Sequence, residues 1–392
     1  MLIIGNGFDL AHDRPTTYSD FLQFLNYILL AKDYPGDKSQ FEASLNIECQ
    51  TVKQYILASF DTRKNPGTEA AWNKNLMIQE LYEHLDKNVW YEYFKKIWEN
   101  DLINGKNWID FEQEILEVIN FFDHKITNKY EPISKLQGDS VNEKNRHFWS
   151  LFYVKIQQEN VQRCTWSDFI DKTYQDLQDL VRCLEIYLDD CVGKMPVLCY
   201  SPDIKDMDFH SVLSFNYTAI PTNIYPLLTN THNIHGHAKA DRPMAENDMV
   251  LGVNEYWEGP DKNLRTNFNL YKKFAQRIIK GTGIIYKTTL NQMSSDYEEG
   301  KCFQAKSQEY FSARHSNVYI FGHSLDITDR DILREVMQTP GVITTIFYRS
   351  KQQQANQIAN LSKVLGQEDL LKRTFNITPT IIFKQQVDMK KL

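Results

Sequence analysis

The chain starts with three consecutive apolar residues, Leu2-Ile3-Ile4, closes them with Gly5-Asn6-Gly7, and then changes rhythm. From Tyr18 to Gly193 apolar positions recur every three or four residues and Gly and Pro are sparse, which predicts a run of amphipathic helices. In NWIDFEQEILEVINFFDH the stripe is Phe111, Ile115, Val118, Ile119 and Phe122. It resumes in WSDFIDKTYQDLQDLVRCLEIYLDDCV, with Ser167 as the expected N-cap and Gly193 as the expected C-cap. After GKMP the pattern turns strand-like. SVLSFNYT, THNIHG, MVLGVNE, NVYIFGHSLD, VITTIFYRS and TPTIIFKQQ are short apolar runs, most of them with β-branched residues. Helical stretches, TDRDILREVMQ and QQQANQIANLSKVLG, separate several of them. Strands apolar on both faces that alternate with helices predict a buried parallel sheet. LIIG matches these later strands. The expected architecture is therefore one discontinuous α/β domain, residues 1–20 plus 195–392, with an all-helical insertion at 21–194 after the first strand.

Composition changes little in this picture. Hydrophobic content of 42%, with 24% charged and 13% aromatic residues, is globular, so disorder is not the expectation. The net charge of −7 is spread without blocks and argues against bulk binding of nucleic acid. The strongest apolar run, FLQFLNYILLA, is broken by Gln23 and Asn26 and falls short of a membrane span. Because the strand pattern begins at Leu2, no signal peptide is expected, and the location expected is cytoplasmic. Six scattered cysteines include no C-x-x-C pair, so reduced thiols are expected rather than a zinc ribbon or redox dithiol.

In open parallel sheets ligands bind beyond the carboxyl ends of the strands, so the residues just past each run matter. Five runs end in polar or glycine-bearing clusters: Gly5-Asn6-Gly7-Phe8-Asp9, Asn216-Tyr217-Thr218, His235-Gly236-His237, Asn254-Glu255 and Gly322-His323-Ser324-Leu325-Asp326. Gly5 and Gly7 suit either a turn that aims N–H groups at a phosphate or a plain tight strand-to-helix turn. Asn216 offers donor and acceptor together without charge, and His235 can take a proton near neutral pH. His232, His235 and His237 are spaced like metal ligands but lack an adjacent Cys or acidic third ligand, so no metal is expected. Asp329 and Asp331 read as acids at a helix start, which leaves Ser324 and Asp326 as the better ligand contacts of that cluster. Asp110 and Glu112 are either first-turn acids or groups that reach the cleft.

LIIGNGFDLAHDRPTTYSDFL, NWIDFEQE, SFNYT, IHGH, LGVNE and FGHSLDITDRDIL together resemble the abortive infection AbiH family of bacterial antiphage proteins. One departure is Asp13, where the family pattern usually has Gly. That family is in turn distantly similar to the sirtuin-like NAD-binding fold, which implies a Rossmann-like, sirtuin-like sheet. The spacing of Gly5 to Pro15, the Asn216-Tyr217-Thr218 element, His235-Gly236 nineteen residues after Asn216, and Gly322-His323-Ser324-Leu325 carry that likeness. By it, Asn216 and His235 would be catalytic, flanking the nicotinamide ribose. Gly5, Asn6, Gly7, Phe8, Asp9, Thr16, Tyr217, Gly236, Asn254, Gly322, His323, Ser324 and Asp326 would hold the dinucleotide. The chain lacks the paired C-x-x-C of the sirtuin zinc site and has Asp9 where a sirtuin has a small Ser, so a protein deacylase is not implied. The resemblance implies an antiphage effector that binds NAD and hydrolyses its nicotinamide–ribose bond. The alternatives are a non-catalytic dinucleotide or ADP-ribose sensor signalling through the helical insertion and, with less support, a nuclease toxin. Implied partners are a nucleotide and a phage-derived trigger or a second copy of the chain.

Overall fold

Three apolar residues cannot hold a strand by themselves, and Leu2–Ile4 is held from both sides. The computed structural model describes residues 1–62, 69–133, 141–259, 264–283, 285–307 and 315–392. In it Leu2–Ile4 (β1) lies in a six-stranded parallel sheet with Val212–Ser214 (β2), Thr231–Asn233 (β3), Ser316–Phe321 (β4), Val342–Tyr348 (β5) and Ile381–Gln385 (β6). The spatial order is β3-β2-β1-β4-β5-β6. Leu2 pairs with Val212 on one side and Tyr319 on the other, and Ile4 with Ser214 and Phe321. This is the Rossmann-like order, in which the winding reverses between β1 and β4.

Alternation along β1 sends its side chains to opposite faces. Ile3 joins Leu213, Ile234, Ile320 and Ile346 in one core, while Leu2 and Ile4 join Phe8, Val212, Phe321 and Phe347 in the other. All three β1 residues are buried, as a sheet covered on both faces requires. Each such burial contributes about 1.5–3 kcal/mol, which is why so short a strand persists.

The chain divides into two compact units. The first comprises Met1–Arg14, Pro196–His237 and Gly281–Leu392 and contains the whole sheet. The second comprises Pro15–Met195 and Ala238–Lys280 and is helical. Compared with boundaries at 1–20 plus 195–392, residues 15–20 and 238–280 fall in the helical unit. MVLGVNE goes with them. It forms no strand of the sheet; its one ladder contact is a bridge from Val253 to Lys272, with Val253 N–H donating to Tyr271 O at 2.8 Å. Its apolar residues Met249–Leu251 are buried inside the helical unit instead. A two-residue antiparallel pair, Cys199–Tyr200 with Lys390–Lys391, has no periodicity that would announce it.

In the helical unit the stripe Phe111, Ile115, Val118, Ile119 and Phe122 is buried along the helix Phe111–Lys125, which Asp110 caps by accepting from Gln113 N–H at 3.1 Å. The helix Trp166–Ile186 starts earlier than Ser167 suggests. Thr165 is its N-cap, because Thr165 and Asp168 satisfy each other's backbone N–H groups in a capping box. Its end also differs. The chain continues through a π turn, Tyr187–Cys191, and a 3₁₀ turn, Val192–Lys194, so Gly193 lies inside a turn and is not a C-cap. Glu185, fully buried, accepts from Arg182 Nη1 (2.7 Å), Arg242 Nε (2.8 Å) and Asn247 Nδ2 (2.6 Å), tying the 238–248 segment to this helix. Among the described residues no helix is long and apolar enough to cross a membrane. All six cysteines are free thiols, four buried, Cys49 half-buried and Cys302 exposed.

Candidate functional site

The glycines are the first question the sequence raises, and their neighbours answer it. Gly5 N–H continues the ladder to Phe321 O (3.2 Å), Gly7 N–H donates to Gly322 O (2.7 Å), and Phe8 N–H turns back to Gly5 O (2.8 Å). The turn after β1 therefore packs backbone against backbone on the turn after β4. A Cβ on Gly7 would lie 2.8 Å from Gly322 O, one on Gly5 2.8 Å from His323 Cα, and one on Gly322 2.2 Å from Phe8 N. Gly322 also has φ +70°, a conformation that side chains resist. The three glycines are accounted for by this contact between chain segments.

The short helix Asn6–Ala11 beyond the first turn carries groups of different kinds. Phe8 is core, its ring against those of Tyr225 and Phe321. Asp9 points to the end of β2. Its Oδ2 accepts from Asn216 Nδ2 (3.1 Å) and Thr218 Oγ1 (2.6 Å), and its Oδ1 lies 3.6 Å from Arg14 Nη1. Burial raises the Asp9 carboxyl to about 6, against the opposing pull of Thr218 and Arg14. His12 donates from Nδ1 to Phe8 O (2.6 Å) and accepts at Nε2 from Tyr225 OH (2.7 Å), which itself accepts from Ser201 N–H. Burial lowers the His12 pKa, consistent with this neutral, fully used ring. Asp13 adopts φ +58°, a left-handed conformation that Asp tolerates. Arg14 Nη1 then reaches Ala219 O at 3.0 Å.

Asn216 is held at backbone and side chain alike. Its N–H donates to Ser214 Oγ (3.1 Å), its carbonyl accepts from Asn233 Nδ2 (2.8 Å), and the residue is 5% exposed. His235, just past β3, is equally buried and places Nε2 3.1 Å from Asp329 Oδ1. The other oxygen of Asp329 faces His323 Nε2 at 3.6 Å. One carboxylate thus lies between two imidazoles. The tautomer of His323 is set by its other nitrogen. Nδ1 accepts from Leu325 N–H at 2.8 Å, so the proton sits on Nε2, toward Asp329. Leu325 makes this bond from a left-handed conformation (φ +60°), held there by a side chain fully buried in the core. The Phe215 ring lies edge-on to both histidines, at 4.4 Å from His323 and 5.5 Å from His235.

Asp329 reads in the sequence as an ordinary helix-start acid, and here the structure differs. It occupies the N-cap position of the helix Arg330–Gln338, yet its side chain makes no cap bond there. The carboxylate is turned to the histidines instead. Capping falls to Asp326, whose Oδ1 accepts from Thr328 N–H at 3.0 Å at the start of the 3₁₀ turn Ile327–Asp329. The roles of Thr218 and Arg14 have no local signal beyond their places beside Asn216 and Asp13. Gln357, in the Gln-rich stretch, is buried and donates to both His323 O and Phe347 O (3.2 Å each), fixing the ends of β4 and β5.

Of the residues predicted for the site, Gly5, Asn6, Gly7, Phe8, Asp9, Asn216, Tyr217, His235, Gly236, Gly322, His323, Ser324 and Asp326 belong to the sheet unit. The ring of Tyr217 is 6.4 Å from that of His235, Gly236 takes φ +80° behind it, and Ser324 is exposed with its carbonyl bonded to Asn360. Thr16 and Asn254 belong to the helical unit, as do Asp110 and Glu112, the latter paired with Lys273 at 2.8 Å. Among the described residues no three His, Cys, Asp or Glu side chains are grouped to hold a metal ion.

With Nε2–H donated to a carboxylate, His235 carries its basic lone pair on Nδ1, and Asp329 stabilises the imidazolium that forms when that nitrogen takes a proton. The site can therefore accept a proton at His235 beside a fixed, neutral Asn216. A family model described as bacteriophage abortive infection AbiH matches residues 1–348, which include Asp9, Asn216, His235, His323 and Asp329 and end at the last residue of β5. No curated protein and no solved structure matches the chain.

Proposed function

The chain belongs to the bacteriophage abortive infection AbiH family, and from that premise we propose that it is an antiphage effector that binds NAD at these strand ends and hydrolyses the nicotinamide–ribose bond. The observation that carries the reading is the place of the polar groups. Asn216 and His235 come after β2 and β3, on one side of the point between β1 and β4 where the strand order reverses, and the His323–Asp329 loop runs from β4 across those strand ends. Open α/β sheets of this order bind dinucleotides at the carboxyl ends around that point. A sirtuin-like relationship of the sheet belongs to the same proposal.

In the reaction water attacks C1′ of the ribose, the C1′–N1 bond breaks, and its electron pair leaves with nicotinamide, which departs neutral. Charge builds on the ribose in the transition state. Asn216 Oδ1 orients the water or a ribose hydroxyl, and His235 Nδ1 takes the water proton as attack proceeds, a role worth about 10²–10⁴-fold in rate. Asp329 keeps that nitrogen basic by holding the opposite one.

Purified protein incubated with NAD is expected to release nicotinamide and ADP-ribose, and Asn216→Ala and His235→Ala are expected to abolish release and the growth arrest that accompanies expression. Absence of nicotinamide release from a protein that arrests growth would refute the hydrolase. A second reading, a sensor that binds a dinucleotide or ADP-ribose without turnover, draws support from Asp9, Asn216 and Thr218, which bond to one another as a fixed wall. Saturable binding with no product, and growth arrest unaltered in His235→Ala, would favour it.

A further inference from the structure

A carboxylate buried to 1% exposure among mostly neutral groups constrains whatever it touches. Ionised Asp9 has acceptors only, so the Asn216 amide beside it has one orientation, Nδ2 toward Asp9 and Oδ1 away. Thr218 Oγ1, donating to the same Asp9 oxygen at 2.6 Å, and Arg14, 3.6 Å from the other, hold the carboxylate in place. The bonds of Asn216 to Ser214 and Asn233 fix the backbone from which that amide projects. Among the described residues, Asn216 Oδ1 is buried and has no hydrogen-bond partner, whereas Asp9 Oδ1 faces Arg14. Buried acceptors are ordinarily satisfied, and one aimed away from its only side-chain partner points to a ligand that donates.

We propose that Asp9 is a positioning residue that makes Asn216 an obligatory acceptor, so that the ligand group seated against Asn216 is an O–H donor, a ribose hydroxyl or water, and not a phosphate or carbonyl oxygen. The inference rests on the nucleotide reading of the site and sharpens it. A phosphate placed here would meet the Asn216 acceptor oxygen and the Asp9 charge behind it, while the nearby Gly7 N–H is already bonded to Gly322 O. The ribose end of the ligand, not its diphosphate, therefore lies at the end of β2.

The test is a reciprocal exchange, run at pH 8 where Asp9 is ionised. Asp9→Asn sets two amides face to face and frees Asn216 to flip; Asn216→Asp sets two carboxylates face to face. Each is expected to weaken NAD binding about tenfold or more by calorimetry. The exchanged pair, Asp9→Asn with Asn216→Asp, restores one donor facing one acceptor with a second acceptor oxygen outward, and is expected to bind within about threefold of wild type. The pair keeps the test decisive if either single variant does not fold. Single variants that bind NAD as wild type does, or an exchanged pair that melts like wild type yet binds no better than the weaker single variant, would overturn the proposal. If wild type itself binds no NAD, the nucleotide reading fails separately, and the ligand-free protein decides this one. The Asn216 side-chain amide protons should then exchange about tenfold faster in Asp9→Asn than in wild type; equal exchange would overturn it.

Discussion

If the glycines after β1 and β4 were there for a phosphate, replacing one with alanine would spare stability and harm binding. The contacts predict the reverse for Gly322→Ala. Two contributions add. The φ of +70° places Ala in the left-handed region, at roughly 1–2 kcal/mol. The new Cβ, 2.2 Å from Phe8 N and 2.5 Å from Gly7 C, meets backbone on a segment that no side-chain rotation can relieve. The two turns must part, and the 2.7 Å bond from Gly7 N–H to Gly322 O is lost inside the protein, at about 1–3 kcal/mol. The sum is about 2–5 kcal/mol. Gly281→Ala is the control, in the same unit with φ +67° but nothing within 4 Å of the added Cβ, so it costs the backbone contribution alone, about 1–2 kcal/mol. All seven tryptophans belong to the helical unit, so the sheet unit needs a readout of its own. Hydrogen exchange of peptides spanning β1 and β4, tracked through a urea series, provides it. A Gly322→Ala cost no greater than that of Gly281→Ala would refute the packing account and return these glycines to ligand binding.

Asp329→Asn removes the charge facing His235 while keeping its shape, and should lower nicotinamide release about 100-fold with little change in melting temperature; unchanged turnover would remove Asp329 from the mechanism. Glu185→Ala takes a buried carboxylate from between Arg182, which keeps Glu80, and half-buried Arg242, which keeps Asp248, and should cost the helical unit about 1.5–3 kcal/mol, read by tryptophan fluorescence in urea. Asp9 sets a pH dependence of unusual sign. Because its folded value, about 6, exceeds the unfolded 3.8, the folded state holds the proton more tightly. Its contribution to stability is full below about pH 4 and is lost as pH rises to about 6, by up to about 3 kcal/mol. Hydrogen exchange of the sheet unit at pH 4.5 and 7 should show this loss in wild type but not in Asp9→Asn; the same slope in both would contradict it.

Strands and helices with a consistent apolar period were legible in the sequence, since their burial pattern is local. Six runs predicted as strands became the sheet, and the stripe from Phe111 to Phe122 became a buried helix face. MVLGVNE misled because a short apolar run shows that it is buried but not against what. Gly252 brings its backbone against Tyr271, where a Cβ would lie 2.3 Å from the carbonyl oxygen, and that contact belongs to the helical unit. The end of Trp166–Ile186 misled for a related reason. Gly is a good stop signal, but the π turn before Gly193 extends the winding beyond what periodicity and caps describe.

The site was legible one residue type at a time and not as a circuit. Asn216 and His235 stand at strand ends, where the sheet order gives them meaning, but their partners lie far off in sequence. Asp9 is 207 residues from Asn216, and Asp329 is 94 from His235. What joins them is the path of the chain after β4. That strand is separated from β3 by β1 and β2, so the loop after it has to cross two strand ends to reach His235. Its contacts mark the crossing in order: Gly322 against Gly7 beyond β1, His323 against Phe215 beyond β2, and Asp329 against His235 beyond β3. The first step is possible at backbone distance only because neither Gly7 nor Gly322 carries a Cβ, and the left-handed conformations of Gly322 and Leu325 turn the loop along the sheet edge. The glycine turn that opens the chain thus shapes the loop after β4 as well as the turn after β1. It clears the path by which a carboxylate from β4 is delivered to a histidine from β3, and a methyl group placed in that path would move Asp329 as surely as replacing it.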